Sequence, residues 1–302
     1  MELNKIYLGD AYELIKQIPD KSVDVIYTDI PYLIIGGGGV GKNPSGLCQR
    51  IATKNAELGV KNSIESLKKR EQELLEKMHN AKTKDEYEKY HCQHGNILNK
   101  INLQCADIAN GIDYKILDEF VRVCKDIYIY IWCSKEQIYD LMQFFVGKYH
   151  CRFNLLVWCK TNGVPATNNT WLPNIEHCLV FKSENAKKYN DGYELKSKWY
   201  ISSTNKFDKE QYTHPTCKPL ELVERHLKHS CNKGDVVLDP FLGSGTTALA
   251  AKHLGLNYIG FEINEKYYNI AKDRLQGINQ KGVMNLFDLD YDLQGNDNST
   301  TD

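Results

Sequence analysis

Two short stretches of this 302-residue chain place acidic, aromatic and small residues where they could do chemistry. The first is Asp29-Ile30-Pro31-Tyr32, directly after the apolar run Val23, Val25 and Ile26. It offers a carboxylate acceptor and an aromatic ring on a turn that Pro31 stiffens. The second is Asp239-Pro240-Phe241-Leu242-Gly243-Ser244-Gly245-Thr246-Thr247, fed by Val236-Val237-Leu238. Gly243 and Gly245 remove side chains, so a ligand can approach the backbone there. Glu262 follows Gly245 by 17 residues, at the end of the next apolar run. A carboxylate at that point can accept both hydroxyls of a ribose, as in other nucleoside-binding α/β folds.

The glycine loop admits three readings. A phosphate-binding P-loop needs a lysine before the Ser or Thr that opens the helix, and Gly245 is followed by Thr246-Thr247, which excludes it. A nicotinamide fingerprint tolerates Ala248 in place of its third glycine, so the glycines alone leave it open. Asp239 at the loop entry would repel a pyrophosphate and suits a cationic ligand. A ligand with a sulfonium and an ammonium and no phosphate, such as S-adenosylmethionine, meets that requirement.

Elements that could hold these stretches follow from hydrophobic spacing. Ile6 to Leu8 reads as a strand ending at Gly9-Asp10, Ala11 to Ile18 as a helix, and Ser22 to Tyr27 as a second strand. From Asp113 onward, helices are expected at Leu117–Cys124, Glu136–Phe145, Leu220–His229, Thr246–Leu254 and Glu265–Gln276, the last capped by Asn264. Strands are expected at Ile127–Trp132, Asn154–Cys159, His177–Phe181, Asp235–Leu238 and Tyr258–Phe261. This alternation predicts an α/β fold, a parallel or mixed sheet with helices on both faces. The predicted core domain is 1–35 with 111–284. Residues 36–110 break the rhythm with four glycines and a charged helical pattern, and read as an inserted helical lid or DNA-contacting segment. Residues 183–213 interleave lysines with Tyr189, Tyr193, Trp199, Tyr200 and Phe207. Residues 285–302 read as a disordered acidic tail.

With these elements in place the chain resembles the DNA amino-methyltransferases. Their signature is Asp/Asn/Ser-Pro-Pro-Tyr/Phe, matched by Asp29-Ile30-Pro31-Tyr32 except at Ile30. The loop Asp239–Thr247 is similar to their cofactor motif. His214-Pro215-Thr216-Cys217-Lys218-Pro219 is similar to their His-Pro-Thr-x-Lys-Pro element. The catalytic strip precedes the cofactor loop by about 200 residues, the permuted order of the family's β group. Gly9-Asp10 matches the acidic element near the cofactor's adenine. Asn154 to Lys160 and Asn174-Ile175-Glu176-His177 resemble later strand elements.

The resemblance implies a Rossmann-like S-adenosylmethionine-dependent methyltransferase. Asp29, Ile30, Pro31 and Tyr32 would be catalytic. Asp10, Asp29, His214, Thr216, Lys218, Asp239, Phe241, Gly243, Ser244, Gly245, Thr246, Glu262 and Asn264 would hold the cofactor. An exocyclic amine is a poor nucleophile because its lone pair is delocalised. Asp29 and the Ile30 carbonyl would accept its two hydrogens, and Tyr32 would stack on a base flipped from duplex DNA. Within the family Asp in the first position favours adenine N6, whereas cytosine N4 enzymes more often carry Ser. Two alternatives stand beside adenine methylation: cytosine N4 methylation, and a DNA-binding relative impaired by Ile30.

Composition sets the frame for partners. The net charge is −1, yet Asn285–Asp302 holds five aspartates and no Lys or Arg. Without those five charges the rest of the chain carries +4, which permits a basic groove for DNA. The segment 36–110 contributes 12 Lys and Arg against 9 Asp and Glu, and 183–213 has lysines for phosphates and aromatics for stacking, so either could recognise the target. The ten cysteines lack metal-knuckle spacing, so free thiols and no metal are expected. No apolar run approaches membrane-spanning length, and the N-terminus lacks a signal-peptide pattern. The expected setting is cytoplasmic, with a homodimer and a cognate restriction enzyme as further partners to consider.

Overall fold

The computed structural model describes residues 1–32, 68–81, 83–91, 93–94, 111–163, 171–172, 174–187, 189–190, 192, 194–203 and 217–277. The chain divides into two units, one formed by Met1–Ile30 with Asp113–Asp302 and one by Pro31–Ile112. In the second unit, residues 68–79 and 84–91 are helical, as the charged helical pattern predicts.

The first unit is built on an eight-stranded sheet. Its strands are β1 (Lys5–Leu8), β2 (Val25–Asp29), β3 (Tyr128–Cys133), β4 (Arg152–Lys160), β5 (Ile175–Lys182), β6 (Trp199–Ser202), β7 (Val236–Asp239) and β8 (Asn257–Glu262). Their order across the sheet is β1-β8-β7-β2-β3-β5-β4-β6. Neighbours are parallel except around β5, which runs against both β3 and β4. The sheet is therefore mixed, with one reversed strand. β6 lies inside the segment 183–213: its backbone completes the sheet edge beside β4, where polarity alone suggests a loop.

Side-chain alternation along the strands explains the two covered faces. β3 is Tyr-Ile-Tyr-Ile-Trp-Cys and is buried along its whole length, as a central strand of β-branched and aromatic residues should be. Tyr128, Tyr130 and Trp132 join Tyr27 and Val25 in a core with α4 (Leu220–Ser230) and α5 (Thr246–His253). The opposite parity, Ile129, Ile131 and Phe181, faces the other layer, where Phe145 stacks on Phe181 at 4.5 Å between ring centroids. In α2 (Ile116–Val123), Ile116, Leu117, Phe120 and Val123 are buried, a helical stripe for burial against the sheet. α1 is Ala11–Leu14, α3 is Ile138–Met142 and α6 is Glu265–Leu275. The α3 region departs from a single helix over 136–145. It opens as a 3-10 turn at Lys135–Gln137 and widens to a π-helix at Gln143–Lys148.

Arg122 fixes the approach to β2. Its guanidinium donates to the carbonyls of Ile18 and Ile15 at 2.8 and 3.0 Å and pairs with Glu119 and Asp20. Asp24, just before β2, accepts from Val236 N of β7 at 2.9 Å and from Lys125. Among the described residues no helix is long and apolar enough to cross a membrane.

Candidate active site

The parallel strands bring four acids to one edge of the sheet. Asp10 follows β1, Glu262 ends β8, Asp239 ends β7 and Asp29 ends β2. Those four strands are neighbours, so the acids form a row along the carboxyl edge. After β7 the chain returns through α5 to β8, whereas after β2 it goes on to β3 on the other side. The connections diverge between β7 and β2, the place where open α/β sheets bind ligands.

The glycine loop lies over this row. Gly243 and Gly245 have φ of +56° and +83°, a region that glycine enters without strain. A Cβ on Gly245 would come within 2.9 Å of the Ala271 Cβ in α6, so this position also sets how closely α6 packs. Glu262 accepts from Gly243 N at 2.7 Å and from Asn264 N at 2.8 Å. Burial raises the Glu262 pKa against these amide bonds. Asp239 accepts from Phe241 N at 3.1 Å. Burial pushes its carboxyl up to about 7, with the Thr247 and Thr28 hydroxyls opposing. Among the described residues, no Lys or Arg forms an ion pair with Asp10, Asp239 or Glu262. A buried carboxylate without a cation beside it favours a positively charged ligand. With the amides of Gly243, Asn264 and Ile263 on it, the Glu262 carboxylate keeps part of its about four acceptor positions, which suits ribose hydroxyls. These residues fit S-adenosylmethionine.

Several expected ligands have structural work in the fold. Asp10 caps α1, its Oδ1 accepting from Tyr12 N at 2.8 Å. Asn264 caps α6, accepting from Lys266 N and Tyr267 N at 3.0 and 3.3 Å. Phe241 meets Tyr12 edge to face at 6.4 Å. Ser244 and Thr246 turn their hydroxyls inward. Arg274 of α6, buried under the loop, donates to Thr246 Oγ1 at 2.7 Å and to the Ser244 carbonyl and hydroxyl at 3.3 Å. The Cys217 thiol joins the same cluster, 3.3 Å from Ser244 Oγ and 3.4 Å from Thr246 Oγ1. These two hydroxyls are therefore spent inside the protein. Arg274 carries no motif signal in the sequence.

The β2 end is built differently. Asp29 pairs with Lys218, which also pairs with Glu176 at 2.9 Å. Glu176 in turn pairs with Lys160. Lys218 lies over the Trp132 indole, 5.1 Å from the centroid. Burial opposes its charge, but Asp29 and then Glu176 outweigh this and hold its pKa above that of a free lysine. Burial likewise works against Glu176, and Lys218 and Lys160 overcome it, drawing its carboxyl down to about 2. Under this layer Trp132 Nε1 donates to Tyr27 OH at 3.0 Å, and that hydroxyl shares a hydrogen bond with His226 Nδ1 at 3.1 Å. Burial, with Arg225 and His229 adding to it, depresses His226 to about 3, so this histidine is neutral.

Ile30 continues the strand. Its N–H donates to the Trp132 carbonyl at 3.2 Å, and its side chain is buried. The next rung would run from Ser134 N to the Ile30 carbonyl. Ser134 N instead donates to Gln137 Oε1 at 3.0 Å, inside a capping box. Among the described residues the Ile30 carbonyl therefore accepts no hydrogen bond. Pro31 and Tyr32 belong to the second unit, where Tyr32 O accepts from Gly111 N at 3.2 Å. His214 and Thr216 lie outside the described residues, as do residues 285–302. Among the described residues no group of His, Cys, Asp or Glu forms a metal cluster.

Known proteins resemble this chain in sequence and in fold. A family model described as DNA methylase, for N6 and N4 methyltransferases, matches residues 23–273. The type II methyltransferase M2.DpnII of Streptococcus pneumoniae is 31% identical over 179 residues, which cover 54% of this chain and 67% of that protein. The crystal structure of an M1.HpyAVI–SAM complex superposes with a TM-score of 0.51 at 23% identity, covering 90% of this chain and 99% of that one. The cytosine-N4-specific PvuII DNA methyltransferase gives 0.55 at 14% identity, covering 89% and 85%. At these identities the two structures speak for a shared Rossmann-like fold, and the α/β fold expected from the sequence is borne out.

Proposed function

Since the chain belongs to the DNA methylase family and its cofactor is S-adenosylmethionine, we propose that it methylates the N6 amino group of adenine in double-stranded DNA. The observation that carries this reading is Asp29, placed at the β2 end beside the cofactor loop and held as an ion pair with Lys218. Asp in this position is the family's adenine-favouring residue.

The chain's own residues do three things in this proposal. Asp29 accepts one hydrogen of the target amine, since a carboxylate has about four acceptor positions and Lys218 engages only part of them. The Ile30 carbonyl accepts the other hydrogen. Its rung of the ladder is diverted to Gln137, so it can accept a hydrogen without giving up a backbone bond. Two acceptors draw the amine nitrogen toward sp³ character and aim its lone pair. Tyr32 stacks on the base once it has left the duplex. When bound, the cofactor would supply an electrophilic methyl group to the amine nitrogen, with the C–S bonding pair left on sulfur and the proton lost from nitrogen released to solvent. Asp10, Asp239, Glu262 and the loop Phe241–Thr246 hold the cofactor.

Target recognition falls to the insert 36–110, to the segment 183–213, whose Trp199 on β6 is 58% exposed, or to both. The type II relative supports a cognate restriction enzyme as a partner in the cell.

The test is transfer of labelled methyl groups to duplex DNA, followed by digestion to nucleosides. N6-methyl-2′-deoxyadenosine, lost in Asp29→Ala, is expected. N4-methyl-2′-deoxycytidine would replace the base assignment. Cofactor binding without transfer to any duplex, in wild type and Asp29→Ala alike, would sink the catalytic reading and leave an impaired DNA-binding relative.

A further inference from the structure

Four charged side chains alternate in sign across the β2–β3–β5–β4 part of the carboxyl edge. Lys160 at the end of β4 holds one oxygen of Glu176 in β5, and Lys218 takes the other at 2.9 Å. Lys218 also holds Asp29 at the end of β2. The Lys218 side chain is only 6% exposed and Glu176 only 14%. Exposed ion pairs contribute little, but this one is buried. A buried ammonium persists only where anions surround it, and removal of one partner leaves an uncompensated charge. Lys218 therefore depends on both carboxylates. The indole of Trp132 under it limits where the ammonium can sit.

Lys218 lies in the element expected to bind the cofactor, yet its ammonium points to Asp29 and Glu176. We propose that Lys218 is a positioning residue of methyl transfer that fixes the Asp29 carboxylate toward the target amine, braced from the other side by Glu176, and that it does not touch the cofactor. The proposal rests on the reading of Asp29 as acceptor of an amine hydrogen. A lysine ammonium has three donors and no acceptor. Two of its bonds are spent on separate carboxylates, so its position, and with it the plane of Asp29, is fixed at two points. Glu176 keeps the ammonium from collapsing onto Asp29 alone, and Lys160 keeps Glu176 ionised and in place. The other ionisable groups that interact with Asp29 among the described residues are Asp239, Cys133, Cys178 and Tyr27. None of these is a cation, whereas Lys218 places a positive charge beside Asp29.

The test compares the full chain with Lys218→Met, Glu176→Gln and the double variant. Methyl transfer is measured across pH, cofactor binding by calorimetry and folding by thermal unfolding. Lys218→Met is expected to lower kcat by about 100-fold, the scale of losing one preorganised electrostatic contact. Its S-adenosylmethionine Kd should stay within about twofold of wild type, the scatter of an uncoupled site. The acid limb of its kcat profile should move to higher pH, because Asp29 loses the cation that favours its charged form. Glu176→Gln should lower kcat by about tenfold, and the double variant should be no worse than Lys218→Met, as for residues acting in series. Losses that multiply in the double variant would overturn the brace. A weakened cofactor Kd with kcat intact would overturn the whole assignment. If Lys218→Met does not fold, a crystal structure of the wild-type cofactor complex decides: Nζ on Asp29 and Glu176 supports the proposal, and Nζ bonded to the cofactor overturns it. Absence of methyl transfer by the wild type would remove the functional reading, while that crystal structure would still judge the clamp.

Discussion

Carboxylates occupy both halves of the carboxyl edge, in opposite surroundings. At β1, β8 and β7, Asp10 and Glu262 accept backbone amides, Asp239 lies buried with Phe241 N, and no lysine or arginine pairs with them among the described residues. At β2 and β5, Asp29 and Glu176 are each paired with lysine. One functional group thus receives two electrostatic treatments within a few strands. The amide-bound acids lack a positive charge, which a cationic cofactor can supply. The lysine-paired acids are already compensated by a positive charge without any ligand. Environments that push like groups apart mark a division of labour, here between binding a cation and accepting hydrogens from a neutral amine.

The largest effect expected from this contrast is at Asp29. Asp29→Asn keeps the shape and replaces one acceptor oxygen with a donor. We expect kcat to fall by about 10²–10³, with calorimetric affinity for S-adenosylmethionine little changed. A parallel collapse of cofactor affinity would mean the two halves are not separable.

Ile30 tests the same half through the backbone. Ile30→Pro restores the family's proline but deletes the donor to the Trp132 carbonyl and trims a side chain that is 1% exposed. Losing a buried ladder bond and apolar volume costs about 2–4 kcal/mol. Urea unfolding should show that loss, and methyl transfer should not rise. A more active and equally stable variant would show that Ile30 is a defect and not a substitute brace. The isoleucine reads as rigidity obtained from a strand rung and a core side chain where the family uses a ring.

The cofactor half gives a pH signature. Burial places Asp239 at about 7, against about 4 for a free aspartate. Between those values the folded chain binds more protons than the unfolded one. Its stability without ligand therefore falls as pH rises from about 4 to about 7, by at most about 4 kcal/mol, and is flat above. Asp239→Asn should flatten this slope in thermal unfolding followed across pH. A cationic ligand favours ionised Asp239, so cofactor affinity should rise from pH 6 to pH 8 with release of a proton. Equal affinity across that range would separate Asp239 from the ligand.

Much of this edge was legible before any coordinates. The strand ends at Asp10, Asp29, Asp239 and Glu262 follow from short apolar runs that stop at acids, and Gly243 and Gly245 announce a tight strand-to-helix turn. These are local patterns. The clamp was not legible, because Asp29, Glu176 and Lys218 come from distant parts of the chain and meet only through the sheet order β2-β3-β5. The inward turn of Ser244 and Thr246 was hidden for a similar reason: Arg274 sits on the far side of α6 in sequence and meets the loop only after packing. β6 escaped because its alternation, with Trp199 and Ile201 exposed at the sheet edge, resembles a polar loop with scattered aromatics.

Asn264 gives the smallest expected effect and a sharp distinction. Its place after Glu262 made it a candidate cofactor ligand, and its side chain in the fold accepts from two amides at the start of α6. An N-cap of this kind contributes about 1 kcal/mol. As a cap alone, Asn264→Ala should lose about that much in urea unfolding, and Asn264→Asp should restore it, since aspartate caps equally well. Cofactor affinity should then follow stability in neither variant. An affinity loss in Asn264→Ala that Asn264→Asp does not repair would point to the side-chain amide N–H₂, the one group the cap does not use, and would place Asn264 with the ligand-facing acids of its own half.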